Sequence, residues 1–187
     1  QYGFKIIEDA SHAIGASYAP VIARSSEAAM QQSASIKVGS CTHSDITVFS
    51  FHPVKIITTG EGGMVLTQDD AVAERARMVR NHGMSTRYLH EVEGFNFRMT
   101  NVLAAIGVEQ IKRLPEWTAK RIHNAAYLSA NLKGVQTPFV KPGHTHVFHQ
   151  YTIVVPPSAD RDAVMQQLND AGVGARVYYP LPVHCQP

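Results

Sequence analysis

The sequence predicts an α/β fold with a mostly parallel sheet, followed by the start of a smaller α+β unit. Three observations carry that expectation. Two short apolar runs, "FKIIED" and "DITVFSF", have the strand-like composition of a sheet interior, and the first ends in acids as buried parallel strands commonly do. Amphipathic stretches with marked starts and stops follow them. After "GVQTPFVKPG" the pattern changes to a strand, a helix and another strand.

Taken in order, residues 4–9 predict the first strand, and "DASHAIGA" a turn with a short helix. Residues 18–35, rich in Ser, Ala and Gln without clear periodicity, read as an inserted surface loop. The β-branched and aromatic run 45–51 predicts a second strand, and 62–67 a third. "DDAVAERARMVRNHG" is a helix: Asp69 and Asp70 open it, Val72, Ala76 and Val79 form its stripe, and Gly83 stops it. Its Arg75, Arg77 and Arg80 read as a solvated face. "TNVLAAIGVEQIKRL" places Leu103, Gly107, Ile111 and Leu114 on one helical face, with Pro115 marking a break before a further helix over 117–132. "VFHQYTIVVP" and "ARVYY" predict strands flanking the helix "DRDAVMQQLNDAGV".

Composition excludes several classes. The 187 residues are 44% hydrophobic and 17% charged, values of a globular chain with a real core. No apolar run approaches the roughly 20 residues of a spanning helix. The formal charge is +2, from 17 Lys+Arg against 15 Asp+Glu, and the basic residues are scattered. That leaves no nucleic-acid footprint, and no helix-turn-helix signal supports a DNA-binding regulator. The chain opens "QYGFKIIEDA", with no signal peptide, and stops at "HCQP" with no closing element, so both ends are expected to be cut. Two cysteines, Cys41 and Cys185, lack CxxC spacing, and a reducing cytoplasm is the expectation.

The stretch "SFHPVKIITTGEGG" concentrates the chemistry. Most lysines are exposed, but Lys55 is flanked by Val54, Ile56 and Ile57. Desolvation or a nearby cation makes a lysine a nucleophile toward carbonyl groups. Ser50 precedes it near a strand end, "TTGEGG" lets backbone approach a ligand, and Asp9 ends another strand. In open α/β sheets ligands bind beyond the carboxyl ends of strands. An acid and a Ser-x-x-x-x-Lys at two such ends suggest one site for pyridoxal phosphate. That cofactor needs a lysine for its aldehyde, a carboxylate beside its pyridine nitrogen, and donors for its phosphate.

"IEDASHAIGA", "FSFHPVKIITTGEGGMVLTQD", "RNHG", "GFNFRMTN", "AAIGVEQIKRL" and "RDAV…L…GVGARVYYPLPVH" stand in this order. In these motifs and their spacing the sequence resembles the DegT/DnrJ/StrS family of nucleotide-sugar aminotransferases, over nearly the whole chain except residues 18–35. The resemblance implies a partial aspartate-aminotransferase-like fold (fold type I), with helices on both faces of the sheet and part of a small α+β domain. Residues 1–114 would form the C-terminal part of the large, cofactor-binding domain, and 115–187 a linking helix and an incomplete small domain. It also implies that Lys55 holds pyridoxal 5'-phosphate, Asp9 meets its pyridine nitrogen, His12 faces its ring or hydroxyl, and Ser50 binds its phosphate. Asn96 in "GFNFR", preferred over Arg98, would reach across a homodimer to the neighbour's cofactor phosphate. The implied reaction passes an amino group from L-glutamate to a keto nucleotide sugar. Related dehydratases carry histidine at the lysine position; Lys55 stands there in this chain, which favours transamination.

Family members are longer, so an incomplete site and exposed strand edges prone to association are expected. "TNVLAA" departs from the family's usual acid-and-glutamine helix start. A non-catalytic remnant, binding cofactor or dimerising, is the rival reading. His144, His146 and His149 in "HTHVFH" lack the nearby carboxylates or cysteines of a metal site, and Cys41-x-His43 has no ligand spacing, so no metal is expected. Glu61 reads as a turn carboxylate bonded to backbone, and His184 resembles a family position near the sugar or interface.

Overall fold

The computed structural model describes residues 3–19 and 35–187. The chain divides into two compact units, residues 1–127 with 139–151 and residues 128–138 with 152–187. The candidate site belongs to the first.

In that unit β1 (Ile7–Asp9), β4 (Ile46–Ser50) and β5 (Gly63–Leu66) form one sheet in the order β1-β4-β5. β1 pairs parallel with β4, placing Asp9 opposite Val48, and β4 pairs antiparallel with β5, placing Ser50 opposite Gly63. A separate antiparallel pair joins β2 (Ser17–Tyr18) and β3 (Ile36–Lys37). Most of the expected loop at 18–35 lies outside the described residues, but Tyr18 itself pairs with Ile36.

Strand alternation decides what is buried. Thr47 and Phe49 of β4, and Phe51 beyond it, turn inward, and Phe49 and Phe51 join Ala10, Ile56, Ile57 and Val147 in the core. Thr47 is fully buried, and its hydroxyl donates to the Glu8 carboxylate at 2.7 Å, so the polar group is not left unpaired. On the other face Ile7 and Val65 are exposed. The exposed apolar surface is thus a sheet face as well as the expected edges.

Asp69 caps α1 (Asp70–Arg80), accepting from the backbone N–H groups of Ala71 and Val72 at 2.9 and 3.2 Å. Val72, Ala76 and Val79 are its half-buried stripe, as the periodicity predicts. The helix ends where Gly83 takes φ +72° and donates to the Met78 carbonyl. The hairpin of β6 (Met84–Thr86) and β7 (Leu89–His90) follows, a feature absent from the sequence reading.

α2 (Asn101–Asn131) corrects two expectations at once, because one helix of 31 residues runs through Pro115. A proline inside a helix costs about 3 kcal/mol and leaves the carbonyl four residues earlier without its donor. Here that carbonyl belongs to Ile111, and both Ile111 and Pro115 are exposed, so water can serve it. Leu114, Trp117 and Ala125 pack inward on both sides of the proline. Ile111, expected on one face with Leu103, Gly107 and Leu114, is exposed, and Gln110 bonds to the site-bearing loop.

Three other expectations fail for local reasons. The short helix after β1 is a pair of turns, Ala13 N–H to Ala10 O and Ala16 N–H to Ala13 O, with Gly15 at φ +88°. The strand expected from "VFHQYTIVVP" is broken at Phe148, which takes φ +46°; only Val154 makes a bridge, to Gln136. "ARVYY" forms no strand, and the Asn169 side chain instead binds both Ala175 N and O, at 3.0 and 3.1 Å. That asparagine lies in α3 (Arg161–Asp170), which Asp160 caps within the second unit.

Two substitutions test these assignments by thermal unfolding. Gly83→Ala would force a Cβ into the Val92 carbonyl at a left-handed φ and is expected to lose about 2–3 kcal/mol. Pro115→Ala restores the missing helical hydrogen bond on an exposed face and is expected to gain about 1–3 kcal/mol.

Candidate active site

The backbone of Phe51 clasps the loop that carries Lys55. Its N–H donates to Gly62 O at 2.8 Å, and its carbonyl accepts from Thr59 N at 3.0 Å and the Thr58 hydroxyl at 2.9 Å. Ile56 and Ile57 are buried inside the loop while Val54 is 62% exposed, so the apolar flank holds on one side of the lysine only. Lys55 is half-buried, and among the described residues its ammonium makes no hydrogen bond or ion pair. Its backbone N–H closes a turn on His52 O.

Glycines let the surroundings approach closely. A Cβ on Gly63 would lie 2.6 Å from Phe49 O, and one on Gly107 2.9 Å from the Thr59 methyl. The second contact brings α2 onto the loop, where the Gln110 side chain accepts from Thr58 N at 3.2 Å. Glu61 is not the backbone-bonded turn carboxylate the sequence suggests. It is exposed, 3.9 Å from His52 Nε2, and its backbone carbonyl accepts from the Thr59 hydroxyl.

Asp9, at the end of β1, accepts at Oδ1 from Ser11 N and Ser11 Oγ, at 3.0 and 2.6 Å. Those two bonds hold its carboxyl below the ordinary carboxylate value, with smaller contributions from His12 and Lys55. Its Oδ2 has no hydrogen bond among the described residues. His12, in the turn beyond Asp9, is pushed down first by lost hydration and then by the Lys55 ammonium, against the pull of Asp9. The residue is exposed overall, and its ring packs against that of His149.

His149 arrives from far along the chain. Its segment is bridged to β2 by Thr145 and Ser17, and Arg121 of α2 donates to the carbonyls of Phe148 and His149 at 3.2 and 3.5 Å. The His12 and His149 ring centroids are 4.3 Å apart, tilted by 39°. Burial, helped by His12, Lys55 and Arg121, pushes His149 down to about 4. Its Nδ1 and the Thr118 hydroxyl are buried and unpaired.

The structure therefore brings Asp9, His12 and Lys55 within electrostatic reach of one another and adds His149. Ser50 ends β4, the strand beside β1, and its hydroxyl accepts weakly from His52 N at 3.4 Å. Asn96 is not in this group. It bridges Asn81 beside the end of α1 and lines a surface concavity of about 370 Å³ with Arg98 and the first turn of α2. No group of three His, Cys, Asp or Glu side chains suited to a metal occurs among the described residues. The sequence singled out His149, but within a histidine cluster; Arg121 and Gln110 carried no signal at all.

The donor set fits pyridoxal phosphate. It offers a lysine free of competing partners, a carboxylate held ionised with one oxygen unengaged, a neutral imidazole pair, and a strand-end hydroxyl. The profile of the DegT/DnrJ/EryC1/StrS aminotransferase family matches residues 1–187, and the chain belongs to that family. It is 36% identical to a pleiotropic regulatory protein of Geobacillus stearothermophilus, covering 100% of this chain and 46% of that one. With the GDP-perosamine synthase of Caulobacter vibrioides it shares 35% identity, covering 98% and 47%. Among solved structures, S. venezuelae DesV in complex with a ketimine intermediate matches with TM-score 0.83 at 33% identity, over 100% of this chain and 46% of that one. A family member from Brucella abortus matches with TM-score 0.80 at 27% identity, over 98% and 45%. The fold is accordingly a partial aspartate-aminotransferase-like one. The chain spans about half the length of the curated relatives it matches. No helix among the described residues is long and apolar enough to cross a membrane.

The histidines set a pH window. His149 titrates near 4 in the folded chain against an ordinary 6.5, so the folded state binds fewer protons between those values. Its contribution to stability is complete above pH 6.5 and is lost as pH falls through about 4. Asp9, lowered from 3.8, acts in a separate window at lower pH. Circular-dichroism melts should show the midpoint falling from pH 6.5 to 4, and His149→Phe should reduce that slope.

Proposed function

We propose that the chain carries the lysine half of a pyridoxal-phosphate site, in an enzyme that transfers an amino group from glutamate to a keto nucleotide sugar. The observation that carries this reading is the half-buried, unpartnered ammonium of Lys55 beside an ionised Asp9 and two neutral histidines, at the ends of adjacent parallel strands. The names of relatives such as GDP-perosamine synthase support the substrate class. A homodimer in the cytoplasm, with Asn96 reaching the partner's site, completes the reading on the family resemblance.

When bound, pyridoxal phosphate supplies an electron sink for the carbanion left as a proton departs the substrate carbon. The chain's own groups do the rest. Lys55 would be the residue that holds the cofactor through its aldehyde, and its Nζ, when free, is the group placed to hold or move a proton. Asp9, with one carboxylate oxygen fixed by Ser11 and the other unengaged, would hold the pyridine nitrogen in its protonated form. His12, its pKa lowered, would face the ring without adding a second positive charge beside Lys55, and Ser50 would offer its hydroxyl to the phosphate.

Borohydride reduction after adding pyridoxal phosphate, followed by peptide mapping, tests the assignment. An adduct confined to Lys55, abolished in Lys55→Ala and weakened in Asp9→Asn, is the expected result. Adducts spread over many lysines would overturn it. A folded chain with no adduct would favour the rival reading, a dimerising module without catalysis.

A further inference from the structure

We propose that His149 is a positioning residue: its ring, clamped through the backbone by Arg121, holds the His12 imidazole in place beside the Lys55 loop. The functional part of this inference rests on the reading of Lys55 above; the structural part does not.

Three observations point the same way. The two rings lie 4.3 Å apart, although their segments are remote in sequence and neither belongs to a helix or a strand. Turns hold their orientation poorly unless something is packed against them, and for His12 that something is His149. Second, the His149 segment is tied down independently of the ring, by Arg121 on two carbonyls and by the Ser17–Thr145 bridge. Third, His149 Nδ1 is buried without a partner. A ring placed for its own hydrogen bonding would not leave that atom unpaired, so the placement of His149 follows from packing.

The pairing has a chemical consequence. The groups facing the two rings are Asp9, Lys55 and Arg121, two cations and one carboxylate. Lost hydration joins the Lys55 ammonium in disfavouring protonation of either imidazole, while Arg121 acts on His149 and not on His12. Removing the His149 ring rehydrates His12 and leaves Asp9 free to favour its charged form. A phenyl ring at 149 keeps the packing and discards only the nitrogens, including the unpaired one.

The test is a ¹³C-histidine NMR titration of the full chain without cofactor, with the His12 signal assigned by His12→Asn. In the parent, His12 should titrate below 6.5. His149→Ala should move that midpoint up by roughly half a unit or more, His149→Phe should leave it in place, and Arg121→Met, which spares both rings, should move it up. An unchanged His12 midpoint in both His149→Ala and Arg121→Met overturns the proposal, and so does a shift in His149→Phe as large as in the alanine variant. Loss of fold alone would not shift the His12 midpoint of the remaining folded protein, and Arg121→Met decides the matter if the alanine variant does not fold. Borohydride mapping of the parent is scored separately, so failure of the cofactor reading and failure of the histidine coupling give different results.

Discussion

The clasp at Phe51 is the contact on which the site depends. One peptide unit ends a core strand and, through its N–H and carbonyl, closes the loop that bears Lys55. Its side chain is itself in the core, so loop closure and core packing are satisfied together. A lysine on an untethered loop would turn into water, where its charge is best hydrated. Here Ile56 and Ile57 can stay buried only if the loop stays folded, and Lys55 is held half-buried between the isoleucines and the open side.

Around that clasp the structure converges from three directions. β1 brings Asp9 beside β4 by parallel pairing, α2 reaches the loop where Gly107 permits close approach, and the segment through His149 is tied to Arg121. The resulting electrostatics are uneven by construction. Ser11 holds the Asp9 carboxyl below the ordinary carboxylate value, while lost hydration and the Lys55 ammonium push both histidines down.

Local rules failed where tertiary contacts outweighed them. Pro115 predicts a break, yet α2 continues because its inward residues pack on both sides and the freed carbonyl faces solvent. "VFHQYTIVVP" predicts a strand, but the left-handed turn at Phe148 sends the chain elsewhere. Strand-like composition does not supply a neighbour to pair with.

By itself the sequence determined the α/β class and the capped helix at 70–80, and through the family resemblance it singled out Asp9, His12, Ser50 and Lys55 as candidates. These are legible because caps, strand composition and motif spacing are local properties of the chain. Only the tertiary structure decided that His149 meets His12, that Arg121 and Gln110 serve the site, and that Asn96 stands apart from it. Those outcomes depend on which surfaces fold against one another. No local pattern encodes the meeting of an exposed turn with a segment brought back across a helix.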